Sequence, residues 1–190
     1  MNPRVIYTLV IVVAVASGLA GYYLPRWAHQ GNPVPHPPVV TLEEQTGAVQ
    51  VQGMQRPDFS MTDVNGNLRR IDEWNGQVIA LNFWATWCPP CLKEIPEFIH
   101  LQNKYADRGL QFIGIALQRR EEVLGFMQQH EMNYPVLAGE MEVVELTRAY
   151  GNEVGALPYT VIIDRDGKIA FVKQGQLSGE MAEAVISRLL

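Results

Sequence analysis

The sequence predicts an α/β domain held behind a single N-terminal membrane-spanning helix. Three observations carry that expectation. From residue 78 onward, short apolar runs that read as buried strands alternate with segments whose apolar residues recur at helical spacing. The only two cysteines in 190 residues stand between one such run and the helix that follows it. Val5 to Leu24 is an uncharged, mostly apolar run of 20 residues, a length suited to one bilayer crossing.

Residues 1–24 are therefore expected to form a membrane anchor. Ala14-Val15-Ala16 also resembles a small-residue cleavage site, but the apolar run continues past it, which favours a retained helix over a cleaved signal. Arg4 before the run and Arg26 after it barely orient the helix. In residues 25–52, Pro33, Pro35, Pro37 and Pro38 with Gly31 and Asn32 read as a stiff, extended tether. Thr41 to Val51 fits either a short helix or an added strand. The folded domain is expected over residues 53–190.

Within that domain, Phe59 to Asp63 and Leu68 to Ile71 flank Asn65-Gly66, a hairpin turn signal. Asp72-Glu73-Trp74 reads as one capped helical turn. Val78 to Trp84 is the central buried strand, and from Cys88 the apolar residues Leu92, Ile95, Phe98, Ile99, Leu101 and Tyr105 follow helical spacing, with a kink expected at Pro96. A buried strand over Leu110 to Leu117 leads to a helix over Glu121 to His130, a short strand over Tyr134 to Leu137 and a helix over Val143 to Tyr150. Pro158 fits only as the opener of a strand over Tyr159 to Ile163. Asp164-Arg165-Asp166-Gly167 then turns the chain into a last strand, Ile169 to Lys173, and Ser178 caps a final helix through Leu189.

The chemistry is carried by Trp84-Ala85-Thr86-Trp87-Cys88-Pro89-Pro90-Cys91. Cys88 falls at a helix N-terminus, where the helix dipole and unpaired N–H groups lower a thiol pKa from about 8.5 toward 7 or below. Cys88 is thus the nucleophile. Cys91, inside the first turn, is placed to resolve a mixed disulfide formed at Cys88. Pro89 and Pro90 suit the first turn but have no N–H to donate to the Cys88 sulfur. A weakly stabilised thiolate makes the pair the better reductant, so a reducing role is expected.

Other uses of two cysteines fit poorly. Zinc needs four ligands and an iron–sulfur cluster about four thiolates, whereas His29, His36, His100 and His130 are scattered and no second cysteine pair exists. A two-residue loop gains little from closure, which argues against a structural staple. No metal and no bound cofactor are expected, only the redox-active pair.

Residues 54–190 resemble the thioredoxin superfamily, and within it the membrane-anchored TlpA/ResA-like thiol–disulfide oxidoreductases that include cytochrome c maturation reductants. The resemblance rests on Pro57-Asp58-Phe59-Ser60, the run from Asn82 to Cys91, Glu94-Ile95-Pro96, Tyr150-Gly151, Gly155-Ala156-Leu157-Pro158 and Ile163-Asp164-Arg165-Asp166-Gly167. It implies a thioredoxin fold with an N-terminal β-hairpin and an inserted helix–strand segment over residues 118–150, which is either a partner-recognition element or a plain added layer. It also implies that Pro158 is a cis-proline facing the cysteines and that the Leu157 backbone pairs with an extended substrate segment. Thioredoxin itself carries a buried aspartate six residues before its first cysteine; here that position is Asn82, which cannot take a proton. Glu94, one helical turn after Cys91, is in the matching branch an active-site carboxylate and is expected to deprotonate Cys91. The family places the soluble domain outside the cytoplasm, on the periplasmic side. It makes the partners disulfide-bearing proteins, such as apocytochrome c or copper-site proteins, and a transmembrane thiol-relay electron donor.

Trp84 reads as core and Trp87 as an exposed apolar surface beside the nucleophile, with Pro89 and Pro90 completing the expected substrate contact. A net charge of −5 and a pI near 5.4 argue against nucleic-acid binding. No Gly-rich phosphate loop and no internal repeat occur, and a monomer is expected. The rivals are a disulfide oxidase or isomerase of the same fold, and a copper-delivering module. Copper carriers of the related fold use Cys-x-x-x-Cys and a distal histidine, and no histidine follows His130. The Pro-x-x-x-Thr-x-x-Cys pattern of peroxiredoxins is absent, with Thr86 only two residues before Cys88.

Overall fold

The computed structural model describes residues 51–190; the expected anchor, residues 1–24, and the expected tether up to residue 50 lie outside the described residues. Strands β1 (Ser60–Thr62) and β2 (Leu68–Arg70) pair antiparallel as a hairpin. A 3-10 turn over Ile71–Trp74 leads to β3 (Val78–Trp84), α1 (Pro89–Tyr105) and β4 (Leu110–Leu117). Then come α2 (Arg120–His130), β5 (Val136–Gly139), α3 (Met141–Ala149), β6 (Tyr159–Ile163), β7 (Ile169–Gln174) and α4 (Gly179–Leu189). The five long strands form one sheet in the order β5-β4-β3-β6-β7, with β3 parallel to β4, β4 parallel to β5, and β6 antiparallel to both β3 and β7.

Every residue of β3 is buried, because helices cover both faces of the sheet at its centre. Successive side chains of a strand point to opposite faces, and β3 feeds two cores accordingly. Val78, Ala80 and Trp84 pack with Phe98 and Leu101 of α1 and with Ala182 and Ile186 of α4. Ile79, Leu81 and Phe83 pack with Val143 and Leu146 of α3, with Tyr150 and with Trp74. On the first face Phe98 stacks on Phe112 of β4 with ring centroids 4.9 Å apart.

Two local outcomes differ from the expectations. The hairpin does not use Asn65-Gly66 as a two-residue turn with both residues at positive φ. Gly66 alone has positive φ, at +90°, in a three-residue loop closed by the Asp63 N–H donating to the Asn67 carbonyl at 2.8 Å. Asp63 Oδ1 accepts from the Asn65 and Asn67 N–H groups, both at 2.9 Å, and so fixes the loop. Strand β5 starts at Val136 rather than Tyr134, since Pro135 has no N–H and contributes only its carbonyl, which accepts from Gly114 N at 2.9 Å. Pro96, where the kink is expected, lies inside the assigned span of α1 and has no N–H for the Leu92 carbonyl.

Candidate active site

The cysteine loop leaves the carboxyl end of β3, the edge of a parallel sheet at which crevices form in such folds. Ala85 O accepts from Cys88 N at 3.2 Å and closes the turn, and Cys88 takes the extended N-cap conformation of α1. Pro89 and Pro90 fill the first two helical positions, and the Cys88 side chain receives no capping hydrogen bond. Cys88 and Cys91 are joined by a disulfide, with Cα atoms 5.3 Å apart. Cys91 is fully buried, while Cys88 keeps 5% of its surface. Trp87 stands 62% exposed beside them, and Trp84 is buried in the core. Pro89 is exposed and Pro90 half-buried.

Strand β6 brings the next pieces. The Leu157–Pro158 peptide bond is cis. The register that pairs Phe83 with Tyr159 sets Pro158 beside Trp84, where the cysteine loop begins. Leu157 is half-buried and packs against the core cluster that contains both cysteines. Among the described residues its backbone makes no hydrogen bond. The loop before it is held by buried Asn152, whose Nδ2 donates to Ala156 O at 2.8 Å and whose Oδ1 accepts from Ala156 N at 3.1 Å.

Glu94 follows Cys91 by one turn of α1 and is fully buried. Its Oε1 accepts from Asn82 Nδ2 at 2.7 Å and its Oε2 from the Leu177 N–H at 2.9 Å. Burial disfavours the charged carboxylate more than these two donors favour it, so the Glu94 pKa is pushed up to about 7. Asn82 Nδ2 also donates to Thr160 Oγ1 at 3.1 Å, while Asn82 Oδ1 is buried with no partner among the described residues. Pro89, Pro90, Cys91 and Glu94 thus lie on the cysteine helix, Trp87 and Cys88 in the loop and cap before it, Asn82 and Trp84 on β3, and Leu157 and Pro158 in the cis-proline turn.

Residues not singled out also shape the site. Gln118, at the carboxyl end of β4, accepts on Oε1 from both Thr86 N (3.0 Å) and Thr86 Oγ1 (2.8 Å), and donates from Nε2 to Glu122 at 2.7 Å. It ties the cysteine loop to the start of α2. Its position just past a buried parallel strand is the one sequence signal that marks it. Thr160, Leu177 and Asn152 give no such signal. Among the described residues, no group of three or more His, Cys, Asp or Glu is placed to hold a metal ion.

A cysteine pair at the start of a helix that follows the central strand, facing a cis-proline turn on the neighbouring strand, defines a thiol–disulfide oxidoreductase of thioredoxin-like fold. The Redoxin family model matches residues 51–190, and the chain belongs to that family as a TlpA/ResA-like member of the thioredoxin superfamily. It is similar to a thiol-disulfide oxidoreductase ResA of Bacillus cereus, 29% identical over 181 residues that cover 95% of this chain and 94% of the relative. A ResA of another Bacillus cereus strain is 32% identical over 139 residues, 72% of this chain and 78% of the relative. Among solved structures, a thiol:disulfide interchange protein of the thioredoxin family from Chlorobium tepidum superposes with a TM-score of 0.66 at 29% identity, covering 74% of this chain and 99% of that one.

Proposed function

We propose that this oxidoreductase works as a reductant of protein disulfides outside the cytoplasm, anchored to the cytoplasmic membrane by residues 1–24 and held off it by the proline-rich tether that follows, which ends before Val51, buried in the domain core, and Gln52, bonded to Ala170 O. The observation that carries the direction is the pair of prolines at the first two positions of α1. Of the N–H groups that ordinarily reach an N-cap side chain, those of the second and third helical positions, Pro90 removes one and only that of Cys91 is left. The Cys88 thiolate is therefore less stabilised than in a strong oxidant of this class, whose reduced form is the favoured one. The uncharged run from Val5 to Leu24 and the proline-rich stretch after it support the placement.

The reaction balances over one cycle. Cys88 thiolate attacks a partner disulfide, forms a mixed disulfide and releases one partner thiolate. Glu94 takes the proton of Cys91, and the Cys91 thiolate attacks the Cys88 sulfur, releasing the second partner thiolate and leaving the Cys88–Cys91 disulfide. Two electrons pass to the partner, and a transmembrane thiol-relay donor returns two to the cysteine pair. No bound cofactor takes part, and the chain acts as a monomer. Trp87, Pro89 and Pro90 offer the partner an apolar surface, while the unpaired backbone of Leu157, turned by cis Pro158, pairs with an extended segment around the partner cysteine. Apocytochrome c and copper-site proteins are the substrate class this arrangement serves.

The test is the reduction potential of the Cys88/Cys91 pair in the full chain, equilibrated against glutathione and a stronger dithiol buffer. A value near or below roughly −220 mV is expected of a reductant. A value near about −120 mV, at the strongly oxidising end, would make the chain a disulfide donor and overturn the proposal.

A further inference from the structure

The two oxygens of Glu94 face partners of different kinds. Leu177 offers a backbone N–H, which can only donate, to Oε2 at 2.9 Å. A carboxylic acid accepts better on its carbonyl oxygen than on its hydroxyl oxygen, so the Leu177 N–H favours a proton on Oε1. There Asn82 Nδ2 donates at 2.7 Å. As the groups stand, the carboxylate is satisfied, but the carboxylic acid would set one donor against another.

Asparagine has a way out of that conflict that aspartate lacks. A half-turn of its side-chain amide exchanges Nδ2 for Oδ1. In the exchanged orientation Oδ1 accepts from the Glu94 O–H, and the Thr160 hydroxyl, now accepting from Nδ2 at 3.1 Å, rotates to donate instead. On the opposite side Oδ1 is buried with no partner. That side offers an amino group no acceptor among the described residues and so favours the oxygen, a cost that the hydrogen bond from the Glu94 O–H to Oδ1 must outweigh.

We propose that Asn82 is a positioning residue whose side-chain amide turns over as Glu94 gains or loses its proton, keeping Oε1 hydrogen-bonded in both states. The proposal rests on the reading of Glu94 as the group that takes the Cys91 proton. In that step the proton leaves Cys91 Sγ and ends on Glu94 Oε1, charge moves from carboxylate to thiolate, and no electrons are transferred. The turning amide lets a fully buried acid accept the proton without facing an opposed donor.

The surroundings leave Glu94 to titrate largely on its own. β3 contributes Asn82, β6 contributes Thr160 through Asn82, the segment before α4 contributes the Leu177 N–H, and on α1 Cys91 precedes Glu94 by one turn. Tyr134, from the segment before β5, is a buried phenol held neutral by its own desolvation. Among the described residues, no cation and no second carboxylate contributes to the Glu94 shift.

Side-chain NMR of the full chain in micelles, labelled at the asparagine amide and the glutamate carboxyl carbon, tests this between pH 5 and 9. Above the Glu94 midpoint the Asn82 amide protons should show nuclear Overhauser contacts to Thr160, and these should vanish below it with the same midpoint as the Glu94 carboxyl carbon. Contacts that persist while Glu94 titrates overturn the turning amide and leave the Glu94 reading standing. A Glu94 carbon that does not titrate across this range overturns both. Asn82→Ala removes the partner of Oε1 in both states, so the Glu94 midpoint should rise by less than about one pH unit, the difference between a charge-assisted and a neutral hydrogen bond. Asn82→Asp should raise it further, since two carboxylates then share one proton. A rise of well over one pH unit in Asn82→Ala, as a donor serving the carboxylate alone would give, overturns the turning amide.

Discussion

Replacing Glu94 with glutamine should change how folding stability depends on pH. In the folded protein the Glu94 pKa is pushed from the ordinary 4.5 up to about 7, chiefly by burial. Below pH 4.5 the carboxyl is protonated in both folded and unfolded chains and contributes nothing. As pH rises through the window from 4.5 to about 7, the unfolded chain releases the proton while the folded one retains it. The unfolded state then binds fewer protons, and stability falls with rising pH. At about 1.36 kcal/mol per pH unit, the gap between 4.5 and about 7 amounts to roughly 3 kcal/mol, fully developed above the folded pKa. The substituted glutamine would keep the side-chain shape, an acceptor for the Leu177 N–H and a group for Asn82, but it carries no charge. Urea unfolding of the oxidised full chain, followed by tryptophan fluorescence, should show variant and parent within about 1 kcal/mol of each other at pH 5. By pH 8.5 the variant should be the more stable by about 3 kcal/mol. A gap of constant size across this range would refute the placement of an uncompensated buried acid at residue 94.

Two further outcomes follow from the loop and its rim. Gln118→Ala removes the acceptor for both the Thr86 N–H and hydroxyl, so stability should fall by about 1–2 kcal/mol and amide exchange at Thr86 should quicken about tenfold or more; unchanged exchange would show that the loop is held by something else. Trp87→Ala, at a side chain 62% exposed, should shift stability by less than about 0.5 kcal/mol. It should slow reduction of a protein disulfide while sparing a small-molecule disulfide, and equal slowing of both would rule out a docking role.

The parts of this molecule that could be read along the chain are those whose cause lies along the chain. β3, β4 and β6 have the bounds expected for them because each is a continuous apolar run between turn residues. β5 lies two residues later than its expected span, because Ala138 and Gly139 lack the bulk that marks a strand and join it only through pairing with Ala116 and Leu117 of β4. The cysteines, the exposed Trp87 and the proline before β6 announce themselves by residue type. The partnership of Asn82 with Glu94 does not: the loss of a titratable group at residue 82 and the presence of one at residue 94 are visible, but that they bond each other depends on α1 folding back over β3. Thr86 and Gln118 are likewise joined only once β4 lies parallel to β3. Polar contacts between distant residues have no periodicity to betray them.

The lateral strands of the sheet are clasped by segments that come before it in the chain. Along β7, Gly53 N donates to Ile169 O at 2.8 Å and Ile169 N to Met54 O at 2.9 Å, with Gln52 reaching Ala170 O. Along β5, Val64 N donates to Val136 O at 3.0 Å, and Asp63 bridges to Leu137. An open sheet edge is a template on which another chain can polymerise. Among the described residues the outer side of Phe171–Gln174 carries no such clasp, and there Lys173 places a charge. The fold thereby treats two stretches of backbone differently: strand addition at the rim is blunted, while among the described residues the peptide groups of Leu157 make no hydrogen bond.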